Sequence, residues 1–171
     1  EIKGTNEISA KGITYYGIGT VDALGETDTV TVSALIPGTT TWDLLAGGFE
    51  AFAIDFTRVE VANSGSDSIL NGTASADRFV VAAGVTKSVT ANGTTFEQIT
   101  SVTAGGGNDD VQYDSSSWTV QGDNATAIES ISFTKIESIN QFNVKDSEDN
   151  DITNRSLTGT ADDDAFVVAG T

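Results

Sequence analysis

Short apolar runs alternate with turns rich in Gly, Asn and Asp along almost the whole chain. Four of these runs share one spacing, in which an aromatic residue is followed by aliphatic residues three and six positions later. These aromatic motifs are Tyr15/Ile18/Val21, Phe56/Val59/Ala62, Phe96/Ile99/Val102 and Phe133/Ile136/Ile139. The aromatic residues lie 41, 40 and 37 positions apart, so the motif is a regular repeat.

This alternation predicts an all-β protein. Short apolar runs between closely spaced turns are typical of strands. The abundant Thr, Val and Ile favour strands, while Gly, Asn and Asp favour the turns between them. The stretch from Ala46 to Phe56 is the only one with helical character, and its two glycines weigh against a helix.

A longer repeat is superimposed on the aromatic motifs, and such repeats decide the architecture of a chain. The only two tryptophans, Trp42 and Trp118, occupy equivalent positions 76 residues apart. Three further blocks match, at offsets of 77, 81 and 87: Ile54–Glu60 with Ile131–Glu137, Val21–Val30 with Val102–Val111, and Leu70–Val81 with Leu157–Val168. The last increase in offset fits an acidic insertion at 140–151.

The chain therefore reads as two repeats of about 85 residues each. We expect a first repeat at 1–78 that lacks its lead-in, a second at 79–165 that contains the acidic insertion, and the start of a third at 166–171. Because both ends of the sequence fall inside a repeat, two interpretations follow. The chain is an excerpt of a long tandem array, or it is a subunit that polymerises head to tail.

Two all-β architectures can use a repeat of this length. One is a β-solenoid, similar to a parallel β-helix or β-roll, in which short strands stack coil upon coil and bury an inner ladder of Phe, Ile and Val. The other is a tandem pair of Ig-like β-sandwiches. Apolar residues spaced three apart across turns favour the solenoid, because sandwich strands show longer strict alternation.

Composition and charge remove several classes of function. The chain has no Cys and no His, which excludes thiol nucleophiles, Ser-His-Asp triads, ordinary zinc sites and disulfide scaffolds. Eight basic residues against 25 acidic ones give a net charge of 8 − 25 = −17, which argues against nucleic acid as a partner. No apolar stretch approaches the ~20 residues of a membrane span, so we expect no membrane insertion.

The most specific motif is the turn Ala104-Gly-Gly-Gly-Asn-Asp-Asp-Val-Gln112. Four of its positions match the calcium-binding nonapeptide G-G-x-G-x-D-x-U-x, namely Gly105, Gly107, Asp109 and Val111. Glycines permit tight turns that offer carbonyl oxygens, and aspartate is a hard anionic ligand suited to Ca²⁺. The segment from Leu157 to Phe166 is similar to the G-T-x-G-D-D-x-[LF] lead-in of such repeats, and Leu70 to Phe79 is a weaker copy.

Through these motifs the chain resembles the hemolysin-type (RTX) and β-strand-repeat surface proteins of bacteria. The resemblance implies a secreted or surface-exposed protein such as an adhesin, a surface-layer component or an extracellular filament, with Ca²⁺ as the cofactor. It implies metal ligands among Gly105, Gly107, Asp109, Asp110, Asp162, Asp163 and Asp164. The alternative is that these segments are β-turns in which Asp and Asn cap their own backbone.

We therefore expect a non-enzymatic structural module, whose partners are neighbouring repeats or copies of itself docked head to tail. A carbohydrate-binding module or a polysaccharide-cleaving β-helix is the alternative from another class, with surface glycans as partners. Acidic residues for glycoside hydrolysis are plentiful. However, the basic residues are spread singly along the chain, with no cluster to neutralise an acidic sugar, and Trp42 and Trp118 precede apolar runs, as core residues do.

Overall fold

Eighteen β-strands and no helix make up the part of the chain that the computed structural model describes, which is residues 1–82, 84–113, 117–122, 125–141 and 156–158. The strands form a β-solenoid of stacked coils, which confirms the predicted architecture over the tandem sandwiches. The strands are β1 (Ile2–Gly4), β2 (Glu7–Ala10), β3 (Ile13–Tyr16), β4 (Thr20–Asp22), β5 (Thr29–Thr31), β6 (Thr40–Leu45), β7 (Gly48–Ala51), β8 (Ile54–Thr57), β9 (Val61–Asn71), β10 (Arg78–Val81), β11 (Ser88–Ala91), β12 (Thr94–Thr103), β13 (Asp110–Tyr113), β14 (Ser117–Gly122), β15 (Ala125–Ile128), β16 (Ile131–Thr134), β17 (Ser138–Gln141) and β18 (Ser156–Thr158).

Each aromatic motif begins in a β-hairpin closed by a two-residue turn. The four hairpins pair β2 with β3, β7 with β8, β11 with β12, and β15 with β16. Both residues of each turn have positive φ, as type I′ hairpin turns require. The turn residues are Lys11-Gly12, Phe52-Ala53, Asn92-Gly93 and Glu129-Ser130. The stretch with helical character in the sequence thus forms β7 and β8 instead.

A left-handed corner explains why the apolar residues of each motif lie three apart. The residue two positions after the aromatic has positive φ in all four copies, and these residues are Gly17, Arg58, Gln98 and Lys135. In an uninterrupted strand, alternate residues share a face. The corner reverses that alternation, so the aliphatic residue at the third position also turns inward. Val59, Ile99 and Ile136 are accordingly buried.

Successive motifs stack out of step, because the strands that pair between two motifs are not equivalent strands of the motif. We call β3, β8, residues 94–97 of β12, and β16 the hairpin strands. We call β4, residues 61–63 of β9, residues 101–103 of β12, and β17 the following strands. Each hairpin strand pairs in parallel with the following strand of the preceding motif: Phe56 lies opposite Val21, Phe96 opposite Ala62, and Phe133 opposite Val102.

One coil is consequently shorter than one repeat of the motif. In all but one of the parallel strand pairs, stacked residues are separated by between 70 − 42 = 28 and 56 − 21 = 35 positions, for Trp42 with Leu70 and Val21 with Phe56. The exception is β14 with β18, where the acidic insertion lengthens the separation of Trp118 and Leu157 to 157 − 118 = 39. The motif itself recurs every 37 to 41 residues. The aromatic residues of successive motifs, Tyr15, Phe56, Phe96 and Phe133, therefore do not stack on one another. They do not form a simple ladder.

Inward-facing ladders hold the coils together. One ladder runs from Trp42 through Leu70 and Val102 to Phe133 across four stacked strands. Around it the rings of Trp42, Phe49, Phe56 and Phe96 pack with centroid separations of 5.1 to 6.1 Å. The backbone register of the two tryptophans is the same, because Trp42 lies opposite Leu70 and Trp118 opposite Leu157. The 76-residue equivalence in the sequence thus reflects equivalent positions in the stack.

Candidate functional site

The glycine-rich turn at 104–109 lies directly against the turn at 72–77 of the preceding coil. The amide of Gly106 donates to the carbonyl of Thr73 at 3.0 Å, and the amide of Gly72 donates to the carbonyl of Thr103 at 2.8 Å. A Cβ at Gly105 would lie 2.0 Å from the Thr73 oxygen, where no side chain fits. The glycine pattern is thus required by contact between two backbones.

The close stacking gives the glycine-rich turn a neighbour that is not the next segment in the sequence. No second good nonapeptide follows Val111 in the sequence. In the structure the weaker copy, Leu70 to Phe79, supplies the adjacent turn from the preceding coil.

Three acidic residues precede three stacked strands and form what we call the acid ladder, Asp77, Asp109 and Glu137. The side chain of each later acid accepts a hydrogen bond from the backbone amide of the acid one coil earlier. The Asp77 amide donates to Asp109 Oδ1 at 2.7 Å, and the Asp109 amide donates to Glu137 Oε2 at 2.8 Å. Asp77 itself accepts from the amide and hydroxyl of Thr73, at 2.6 and 3.0 Å. The acids therefore tie successive coils together.

Asp109 is the most deeply buried member of the acid ladder. Its exposed fraction is 0%, and its second carboxylate oxygen, Oδ2, has no hydrogen-bond partner. Burial raises the pKa of this carboxyl above its ordinary value, and the charges of Asp77, Glu137 and Asp110 raise it further. The hydrogen bond from the Asp77 amide opposes these effects without cancelling them.

A second copy of this arrangement links Asp28 and Glu60 in the first repeat. The Asp28 amide donates to Glu60 Oε2 at 2.8 Å, and the amides of Glu60 and Val61 donate to the Asp28 carbonyl at 3.2 and 3.1 Å. The amides of Glu137 and Ser138 donate to the Asp109 carbonyl in the same way. Sequence reasoning missed Asp28, Glu60 and Glu137, although the repeat offsets of 81 and 77 align the two pairs.

The other residues implied as metal ligands have different surroundings. Asp110 pairs with Arg78, whose Nε lies 3.3 Å from its carboxylate. Asp162, Asp163 and Asp164 lie outside the described residues. Calcium takes six to eight oxygen ligands. The orphaned Oδ2 of Asp109 is one donor of that type, but nowhere in the described ranges do three or more acidic side chains come together as a metal-holding group.

Trp42 is not available as a platform for sugars. Its exposed fraction is 0%, and its ring packs edge-on against Phe49 with centroids 5.5 Å apart. The sequence prediction that this tryptophan belongs to the core is therefore confirmed. The side chain of Trp118 lies outside the described residues.

The first hairpin differs from the other three in its exposure. Tyr15 is 42% exposed, whereas the equivalent Phe56, Phe96 and Phe133 are at most 1% exposed. Ile13 and Tyr16, on the same strand, are 56% and 75% exposed. A cavity of about 230 Å³ opens beside this hairpin, lined mainly by apolar side chains of the first coil.

Comparisons with known proteins assign no family to the chain. Within the described ranges, no helix is long and apolar enough to cross a membrane. No protein-family description matches the chain, and none of the curated proteins or solved structures compared with it gives a significant match.

Proposed function

We propose that the chain is a non-enzymatic structural module of a secreted or surface-exposed bacterial protein, such as an adhesin, a surface layer or an extracellular filament. The observation that supports this proposal most is the stacking of each hairpin strand on the following strand of the motif before it. The following strand of every motif thereby offers a free edge on which the hairpin strand of the next motif stacks. Such a chain lengthens by adding motifs, as solenoid proteins do.

The length gained per motif follows from the coil geometry. Val21 of β4 and the equivalent Val102 of β12 are two motifs apart, and five successive strand pairings separate them in the sheet, through β8, β7, β6 and β9. Paired strands are spaced about 4.8 Å apart, so two motifs add about 24 Å to the solenoid axis and one motif adds about 12 Å. A protein with many motifs would form a stiff spacer, and its acidic surface would keep it soluble.

The acidic residues of the described turns serve the backbone rather than a cleft, which supports a non-enzymatic role. Asp109 and Glu137 each accept a backbone amide of the preceding coil. A glycoside hydrolase needs two carboxyl groups that face a bound sugar. The buried Trp42 likewise weakens the carbohydrate-binding alternative. Binding of the chain on a glycan array would favour that alternative.

A series of length variants tests the extension proposal. Deleting residues 57–96 joins Phe56 to Glu97, which also follows an aromatic residue in the native sequence. Duplicating residues 57–96 lengthens the chain by one motif, and triplicating them by two. We expect all variants to fold cooperatively, with the longest dimension from small-angle X-ray scattering rising by about 12 Å per motif. Unfolding of the deletion variant, or a dimension independent of motif number, would contradict the proposal.

Calcium is the cofactor that we propose for the stacked turns at 72–77 and 104–109. Asp109 would supply the orphaned Oδ2, and the tight glycine turn would offer carbonyl oxygens. Millimolar Ca²⁺ is then expected to raise the melting temperature of the wild-type chain relative to EDTA, and to lose that effect in Asp109→Asn. An unchanged wild-type melting temperature would exclude a stabilising calcium site.

Localisation is tested independently of folding. Antibodies raised against the purified chain are expected to label intact cells of the source organism, or to detect the protein in the medium. Labelling only after the cells are opened would contradict the proposed secreted or surface location.

A further inference from the structure

The hairpin strand of the first motif, β3, has one edge that no described strand covers, and we call the space beside this edge the empty place. In the later motifs the free edge of the hairpin strand is covered by the following strand of the preceding motif, and the aromatic residue is buried there. No described strand covers that edge of β3, which pairs only with β2. The exposure of Ile13, Tyr15 and Tyr16 is the consequence.

The backbone of β3 is also ready to pair. In an antiparallel hairpin, alternate residues direct their amides away from the partner strand. In two later copies, the amide just before the aromatic donates across the edge: Asp55 to the Gly19 carbonyl at 2.9 Å, and Thr95 to the Glu60 carbonyl at 2.8 Å. Thr14 occupies this position in β3, so its amide points toward the empty place.

The complementary surface lies at the other end of the stack. β17 is a following strand, and it pairs with β13 along one edge. Among the described strands, none pairs with its other edge, where the next hairpin strand would lie. Ile139 of β17 is only half-buried, whereas the equivalent residues Ala62 and Val102 have exposed fractions of 0%.

We propose that two copies of this chain dock head to tail, with β3 of one copy adding in parallel to β17 of the other. The internal pairing fixes the register. Tyr15 comes opposite Ile139, as Phe133 does opposite Val102, and the Thr14 amide donates to the Glu137 carbonyl. By the same register, Val21 of β4 comes opposite Leu157 of β18, as Val102 does opposite Leu70.

A second copy is the occupant because it carries the sequence that this edge already accepts three times within the molecule. The proposal rests on the motif stacking that underlies the proposed function, and it adds a specific interface to it. With a net charge of −17 on each copy, long-range repulsion opposes docking. Salt screens that repulsion, so association is expected to strengthen from 0.05 to 0.5 M NaCl.

Sedimentation analysis of the purified 171-residue chain tests the interface. We expect the wild type to form linear oligomers that lengthen with concentration. Tyr15→Asp on β3 and Ile139→Asp on β17 should each weaken association at least tenfold. Because each variant keeps one intact end, an equimolar mixture of the two should give a 1:1 heterodimer that grows no further.

The mixture distinguishes this interface from a symmetric one. If two β3 edges paired with each other, Ile139→Asp would still dimerise alone and Tyr15→Asp would not join the mixture. Thr14→Pro removes only the amide donor at the free edge, and should also block association while leaving the melting temperature nearly unchanged. Circular dichroism melts check that all three variants fold.

Three results would overturn the proposal. These are a wild-type chain that stays monomeric at millimolar concentration and high salt, oligomers unaffected by the variants, and a mixture that yields no heterodimer. A monomeric chain whose length variants still lengthen by a constant step would refute this interface alone. The extension role would then remain, so the two proposals fail separately.

Discussion

Asp109→Asn probes one of two buried carboxylate oxygens that lack a hydrogen-bond partner among the described residues, the other being Oδ2 of Asp28. In the wild type, Oδ1 accepts the Asp77 amide while Oδ2 accepts nothing. The substituted amide keeps an oxygen for the Asp77 amide and removes a buried negative charge that Asp77, Glu137 and Asp110 disfavour. A buried group left without a partner costs about 1–3 kcal/mol, so in EDTA at pH 8 we expect the variant to be more stable by roughly that amount.

The pH dependence of this difference has a definite sign. Burial raises the pKa of Asp109 in the folded chain above its value in the unfolded chain. The stability that the protonated carboxyl contributes is therefore full below the unfolded pKa, and it is lost as pH rises through the folded pKa. Since asparagine does not titrate, the advantage of Asp109→Asn should be small near pH 3 and should grow toward neutral pH.

Thermal and urea melts of both proteins across this pH range measure the difference. For a chain of this length, a gain of 1 kcal/mol corresponds to about 2–4 °C in melting temperature. Asp55→Asn is the matched control, because Asp55 is exposed and its substitution changes the net charge equally. A variant less stable than the wild type at pH 8 in EDTA, or a difference independent of pH, would refute the reasoning.

Two further predictions concern the turns. Ala53→Gly is expected to stabilise the chain by about 0.5 kcal/mol and Gly93→Ala to destabilise it by about 1 kcal/mol, because both residues have positive φ at the same hairpin position. Thermal melts that gave the same sign for both substitutions would contradict the type I′ assignment. Gly105→Ala is expected to lower the free energy of unfolding by about 3–5 kcal/mol, since its Cβ would overlap the Thr73 oxygen. Gly47→Ala has open space and should lower it by less than about 1 kcal/mol in urea melts. Equal losses would show that the backbone contact is not the reason for the glycine.

The sequence pattern was sufficient to predict an all-β solenoid and much of its core. Aromatic residues followed by aliphatic residues at the third and sixth positions identify inward positions such as Phe56, Val59 and Ala62. The pattern succeeds because burial acts on each residue separately and leaves a periodic trace. The domain boundaries after residues 78 and 165 remain predictions from the sequence.

The pairing between strands was beyond the reach of the pattern. Self-comparison of the sequence measures how often a motif recurs, but not which strand lies beside which. Strand pairing in each motif depends on a hairpin and a left-handed corner, and neither is visible in the recurrence of the motif. The exposure of Tyr15 is a consequence, since its partner strand would belong to a preceding motif.

The candidate site was predicted in part. The turn sequence led to Gly105, Gly107 and Asp109, because close backbone contact selects glycine there and the hydrogen bond from the Asp77 amide selects a carboxylate. Glu137 was missed because it is distant in sequence and carries no turn signature of its own. Its role depends on the coil register, which brings its carboxylate to the Asp109 amide.

Cysteine pairs test the out-of-step stacking most directly, because the chain contains no cysteine of its own. Asn63 and Glu97 are parallel partners on adjacent coils, and Asn63 Nδ2 lies 2.5 Å from Glu97 Oε2. Asn63→Cys with Glu97→Cys should therefore cross-link within the monomer with a short thiol-reactive bridge. If motifs stacked in step, Glu97 would instead face Thr57, 40 positions earlier. Cross-linking of Thr57→Cys with Glu97→Cys, and not of the first pair, would contradict the stacking proposed for this molecule.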